Sequence, residues 1–149
     1  MRIQSKRSVQ KGNALVEFAL AVTFLVPLMI GLFQFGYGFY TYNKLIAAVR
    51  QGGRYASLRS YDSATTTPST GYLADVRNAT VYGDPAGGAA AVVSGLTTNQ
   101  VSVNMSFTDG VPDVVTVALG TFTIDTIVAR LTFSNKPAAA FRFEGRFAP

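Results

Sequence analysis

The sequence predicts an α+β protein in which one long N-terminal helix packs its second half against a small antiparallel β-sheet. Three observations predict it. The 26 residues from Phe18 to Asn43 carry no formal charge. Directly after them, apolar residues recur every three or four positions as far as Ala56. Beyond residue 100, three runs are rich in alternating or β-branched apolar side chains. The chain therefore reads as a basic leader (1–12), a long helix (13–59) and an α+β head (60–149).

The leader comes first. Arg2, Lys6, Arg7 and Lys11 give it four positive charges and no acid. The rest of the chain has nine basic and eight acidic side chains, and residues 60–149 have five basic and seven acidic. A pI near 9.7 thus reflects the leader and a patch at Lys44, Arg50, Arg54 and Arg59, so no nucleic-acid partner is expected. Basic residues flanking an apolar segment favour the cytoplasmic side. The basic residues after the run oppose that vote, but the unopposed leader decides it. The expected topology is a single pass, N-terminus inside and head outside. A cleaved secretory signal would need a shorter apolar core and a small-residue cleavage site, and "GLFQFGYGFYTYN" offers none.

The helix divides in two. Residues 14–40 form the transmembrane part, because roughly 20 apolar residues at about 1.5 Å rise cross a ~30 Å hydrocarbon core. The alternative is a core helix of a soluble protein. Residues 41–59 form an amphipathic part. There Tyr42, Leu45, Ile46, Val49, Gly53 and Ala56 make an apolar stripe, and Asn43, Arg50, Gln51 and Arg54 fall opposite. Pro27 and the glycines at 31, 36 and 38 make the helix imperfect. Phe33, Phe35, Tyr37, Phe39, Tyr40 and Tyr42 read as an interfacial aromatic belt.

The head opens with a turn-rich loop, "SYDSATTTPSTG", whose threonines around residue 66 are the one low-complexity patch. Residues 70–82 read as a short helix capped by Thr70, with Leu73, Val76 and Ala79 or Thr80 inward, ended by "GDPAGG". "QVSVNMSF", "VVTVALGTFTI" and "AAFRFEGRF" read as strands, the first two joined by the turn "TDGVPD". They predict one sheet, apolar on the side that the helix stripe covers.

Several chemistries are excluded by composition. Without Cys or His there are no disulfides, no thiol or imidazole catalysis and no usual zinc site. No catalytic residue, metal or cofactor is expected. Asp109, Asp113 and Asp125 lack the spacing of a calcium loop. Asn78-Ala79-Thr80 and Asn104-Met105-Ser106 fit the N-glycosylation pattern, on which no reading is built.

The constellation with most meaning is a basic leader, Gly12, four residues, Glu17-Phe18, then an apolar helix. It resembles the prepilin processing motif of type IV pilins and pseudopilins. "EF" and the later "AVRQGGRYASL" are similar to TadE-like proteins, pseudopilins of the tight-adherence (Tad, or Flp) pilus system. Those often read close to R-E-G-A-R-Y-A. This chain matches at Arg50, Gly52, Arg54, Tyr55 and Ala56, and departs at Gln51 and Gly53. The resemblance covers residues 8–59.

The resemblance implies a pilin-like fold and cutting after Gly12 by a membrane prepilin peptidase. Asn13 becomes the first mature residue and Glu17 the fifth. A new α-ammonium group at Asn13 would be mostly charged at neutral pH. Desolvating Glu17 among packed helices costs several kcal/mol, so the acid needs a partner, and a neighbouring subunit's ammonium supplies one. Implied partners are membrane lipid, the prepilin peptidase, the major pilin, other pseudopilins and the pilus assembly platform. The implied place is the bacterial cytoplasmic (inner) membrane, with possible entry into a cell-surface pilus for adhesion or secretion.

Plainer readings stand beside these. Glu17 can serve as an interfacial acid favoured by the helix dipole. Gly12 can be a loop glycine. Arg50, Arg54 and Arg59 can form a solvated or headgroup-facing side. The whole chain can be an uncleaved single-pass anchor carrying an adhesin or sensor head.

Overall fold

A computed structural model describes residues 7–126 and 129–147, with side chains from residue 12 onward. The leader positions Arg2 and Lys6 lie outside the described residues, as do the side chains of Arg7 and Lys11. The chain forms two units, residues 1–37 and 38–149. Helix α1, Arg7–Leu58, contributes to both. It starts six residues before the expected start at 13, so the end of the leader is helical.

The first unit holds the apolar half of α1. Leu15, Val16, Phe18, Leu20, Phe24, Leu28, Leu32, Phe33 and Phe35 are all exposed. α1 is long and apolar enough to cross a membrane. A helix apolar on every side is stable in water only when buried, so this surface calls for lipid or other apolar helices. Pro27 lies inside α1 without ending it.

The second unit is the head, with its own core. The stripe predicted on α1 supplies one wall: Leu45, Val49 and Ala56 are buried, Tyr42 and Ile46 half-buried. Asn43, Arg50, Gln51 and Arg54 stay exposed. Helix α2, Thr70–Tyr82, matches the predicted span. Its cap is Ser69, one residue before the expected Thr70: the Ser69 hydroxyl accepts from the Tyr72 N–H at 3.0 Å. Its buried face is Tyr72, Val76, Ala79, Thr80 and Val81, and Leu73 is only half-buried. Gly83 ends α2 in the left-handed region at φ 77° and donates its N–H to the Ala79 carbonyl.

After a loop and a single 3₁₀ turn at Thr98–Gln100 come β1 (Val101–Thr108), β2 (Val111–Leu119), β3 (Thr121–Asp125), β4 (Arg130–Ser134) and β5 (Ala138–Arg142). The three-stranded sheet has order β1-β2-β5 and is antiparallel throughout. Rows such as Val103–Val117–Ala139 and Met105–Val115–Phe141 cross it on the core side. The turn at Asp109–Gly110 has positive φ at both residues, 51° and 80°. A bulge follows, where Ser106 faces Val114 and Phe107 faces Pro112, leaving Asp113 unopposed. Pro112 sits at the start of β2, before the stretch 114–118 that pairs with β5.

One expectation is corrected here. "VVTVALGTFTI" is two strands, because the chain leaves the first sheet at Gly120. Its N–H donates to the Gln100 carbonyl at 2.7 Å, and its own carbonyl accepts from the Asn135 N–H at 2.7 Å. β3 then pairs with β4, which the sequence reading missed, in a separate two-stranded sheet. That hairpin buries Phe122 and Ile124 and places Phe133 against Tyr42, ring centroids 4.8 Å apart. Tyr42 therefore belongs to the head core and not to the aromatic belt.

Candidate functional site

The predicted site residues fall into two groups. Gly12, Asn13, Glu17 and Phe18 lie in the exposed apolar half of α1. Asn13 and Glu17 are four apart in one helix, so they share a face with Cβ atoms about 5–6 Å apart. Glu17 is surrounded in sequence by the exposed Leu15, Val16, Phe18 and Leu20. Its carboxylate is thus set in a surface that only a non-aqueous environment or other helices would cover. At Gly12 a methyl group would meet nothing within 4 Å, so no packing within the chain demands glycine there. The Gly12–Asn13 bond lies within the helical span of α1, and a peptidase that reads an extended segment must unwind that turn.

The second group is the Arg50–Ala56 block. It divides between core and solvent. Gly52 and Gly53 are the buried contact points of α1 with the rest of the head. A methyl at Gly52 would overlap the Thr80 hydroxyl outright and come within 3.3 Å of Thr80 Cα. One at Gly53 would lie 2.7 Å from the Phe141 ring. The two glycines therefore let α2 and β5 approach the helix closely. The alternation follows from the helix period, since 49, 52–53 and 56 share a face. Ala56 is fully buried, and its carbonyl accepts from the Tyr72 hydroxyl at 2.5 Å. Burial pushes the Tyr72 phenol well above the usual tyrosine range, against the lowering effect of Arg59. Burial likewise raises the half-buried Tyr55, against the same lowering effect of Arg59.

Arg50 and Arg54 remain exposed, and among the described residues neither joins an ion pair. Arg59 separates from them. Its guanidinium bonds Asp75 at 2.9 Å, approaches Asp62 at 3.6 Å and lies over the Tyr72 ring at 5.3 Å. It is a tie within the head rather than part of a basic face. Lys44 lies over the Tyr40 ring at 4.9 Å, a position that suits the rim of a membrane.

Sequence reasoning missed the knot below Arg59. Tyr61 is fully buried and meets Tyr72, Phe107, Phe143 and Phe147 with ring centroids 5.6–6.5 Å apart. The segment after β5 closes it: the Glu144 N–H donates to the Ser57 carbonyl and the Tyr61 N–H to the Arg146 carbonyl. Phe143 and Phe147, expected to continue a strand, serve this cluster instead. Its aromatic content was legible, but three of its four pairings, from Tyr61 to Phe107, Phe143 and Phe147, join distant parts of the sequence and leave no periodic signal.

The candidate calcium carboxylates do not converge. Asp113 faces Arg142 at 3.9 Å, Asp125 bonds Arg130 at 3.0 Å, and Asp109 sits in the β1–β2 turn. At the first sequon, Asn78 donates its amide to the Pro85 carbonyl and Thr80 is buried, donating its hydroxyl to the Val76 carbonyl.

Comparison with known families gives one match: residues 12–54 match the family described as TadE-like protein. The matched stretch begins at Gly12 and ends at Arg54, so it takes in both groups of site residues up to that arginine. No curated protein and no solved structure matches the chain.

Proposed function

We propose that this TadE-like protein is a minor pilin (pseudopilin) of a Tad-type pilus, cut after Gly12 by a prepilin peptidase. The TadE-like match over residues 12–54 supports a place in a Tad pilus system and a structural role. The observation that carries the finer reading is the placement of Glu17. It is the single acid in an exposed apolar helix, four residues from Asn13 on the same face. Cutting at Gly12 frees an ammonium group at Asn13. When helices pack side by side, a neighbour's ammonium neutralises Glu17 and fixes the axial register between subunits.

Residues 14–40 then anchor the protein in the cytoplasmic membrane, N-terminus inside. The head outside supplies contacts to the major pilin, other pseudopilins and the assembly platform. Arg50 and Arg54 are exposed where such contacts form. At about 1.5 Å per residue they lie roughly 15 and 21 Å along the helix from Tyr40, beyond a headgroup layer of roughly 5–8 Å. Protein is therefore a better partner for them than lipid.

The experiment is the N-terminus of the mature protein. Intact mass and N-terminal sequencing from cells with an active prepilin peptidase should give a start at Asn13. Retention of residues 1–12 in those cells would replace this reading with an uncleaved anchor displaying an adhesin or sensor head, a reading consistent with the helical conformation at the Gly12–Asn13 bond.

A further inference from the structure

We propose that the loop joining α1 to α2 is a glycan attachment site, with Thr66 and Thr67 as acceptors of an O-linked sugar. The loop is dense in hydroxyls: six of the eight residues from Ser63 to Thr70 carry one. Only Ala64 and Pro68 do not. Such Ser/Thr-rich, proline-containing segments are the composition of O-glycosylated chain.

The structure sorts the hydroxyls into two kinds. Ser63 and Thr65 share a hydrogen bond at 3.1 Å, and Thr65 also donates to the Thr67 carbonyl. Ser69 caps α2 and donates to Asp62 at 2.6 Å. Those three shape the loop, and Thr70 is exposed but is the first residue of α2, so its backbone is already helical. The exposed hydroxyls of Thr66 and Thr67 take no part in this network. The loop is tied to the head core beside them, because the buried Tyr61 donates its hydroxyl to the Thr65 carbonyl at 2.6 Å. Thr67 also precedes Pro68, which pushes its backbone toward the extended conformation that a transferase cleft accepts.

The step requires an activated sugar, supplied as a nucleotide- or lipid-linked glycosyl phosphate by a separate transferase. The threonine Oγ1 attacks the anomeric carbon. The new C–Oγ1 bond forms as the bond to the phosphate oxygen breaks. The hydroxyl proton goes to the transferase's base, and the phosphate departs with the bonding pair. A neutral sugar fits this site better than a phosphate. Phosphorylation would add nearly two negative charges close in sequence to Asp62, whose carboxylate already accepts from Ser69.

The proposal takes the head's extracytoplasmic position from the function proposed above, and one digest separates the two. The full chain is purified from membranes of its native host and cut with trypsin, which releases Ser60–Arg77 between Arg59 and Arg77. That peptide should be heavier than its sequence by whole sugar units, localised by fragmentation to Thr66 or Thr67. The shift should vanish in Thr66→Ala/Thr67→Ala, whose head should unfold at the same urea concentration as the parent. The N-terminal peptide in the same spectrum reports processing at Gly12 independently. An unmodified Ser60–Arg77, or one carrying phosphate, overturns the proposal whatever the N-terminus shows.

Discussion

Gly52→Ala separates the packing half of the Arg50–Ala56 block from its exposed half. In a free helix this change is favourable by about 1 kcal/mol, since alanine is the better helix former. In the head the new methyl overlaps the Thr80 hydroxyl and comes within 3.3 Å of Thr80 Cα. That hydroxyl donates to the Val76 carbonyl at 2.8 Å in a fully buried setting. Turning it away gives up a bond worth about 1 kcal/mol, and moving α2 instead opens the core. Overpacking of this kind costs about 1–3 kcal/mol. Net destabilisation should be about 1–2 kcal/mol. Gly52→Val should exceed it by at least 1 kcal/mol, because it adds bulk and a β-branched side chain. The assay is urea unfolding of the full-length protein in detergent, followed by the near-ultraviolet dichroism of the head tyrosines. Arg50→Ala and Arg54→Ala should stay within about 0.5 kcal/mol of the parent, as exposed positions do. Adding Thr80→Ala to Gly52→Ala should recover part of the loss, giving a coupling of about 0.5–1 kcal/mol. If Gly52→Ala is as stable as the parent or more so, propensity has won and the close approach is not what requires glycine.

Other outcomes follow from the same geometry. Tyr72→Phe removes the hydroxyl that bonds the Ala56 carbonyl and should cost about 1 kcal/mol in the same assay. The Tyr72 phenol is raised by burial, so the native head holds its proton where the unfolded chain has lost it. That contribution to stability is complete below the ordinary tyrosine pKa of about 10 and is lost as pH rises above it, at up to about 1.4 kcal/mol per pH unit. Tyr72→Phe should flatten that alkaline loss, which urea midpoints between pH 9 and 11 would read. Glu17→Ala should leave membrane insertion intact, measured by carbonate extraction, and reduce incorporation into filaments several-fold. Normal piliation by the variant in a complemented deletion strain would count against the ion pair. Gly12→Leu should leave the precursor uncut, and an unchanged mature mass would remove Gly12 as the cut site.

Much of this architecture was written in short-range pattern. The α1 stripe from Tyr42 to Ala56, the α2 span and the alternation of β1 each follow from a period of 3.6 or 2. The fate of the second apolar run did not. Gly120 switches sheets by bonding Gln100 and Asn135, both distant in sequence, and a glycine inside a β-rich run carries no mark of which it will do. β4 was missed because "RLTFS" has only Leu131 and Phe133 as apolar residues and its partner hairpin was not foreseen. Ser69 and Thr70 are both acceptable caps by type, and the geometry of the preceding loop selects between them. In the candidate site, Gly12 and Glu17 were singled out by their spacing together with the basic leader, the apolar helix and the arginine–tyrosine block, and their role is the proposal made above. The contrast between inward Gly52 and Gly53 and outward Arg50 and Arg54 was half-legible, since the stripe included Gly53 but not Gly52. Arg59 was grouped by charge with its neighbours, and only its contacts with Asp75 and Tyr72 removed it from them.

The closure of residues 143–147 over the end of α1 sets an order of events. Tyr61 emerges early in synthesis, yet three of its four aromatic neighbours, Phe107, Phe143 and Phe147, come much later. A nascent head must wait with that pocket open until Phe147 has been synthesised. A product truncated before Phe143 therefore presents a gaping aromatic slot to quality-control proteases, since Tyr61 then lacks two of its four ring neighbours.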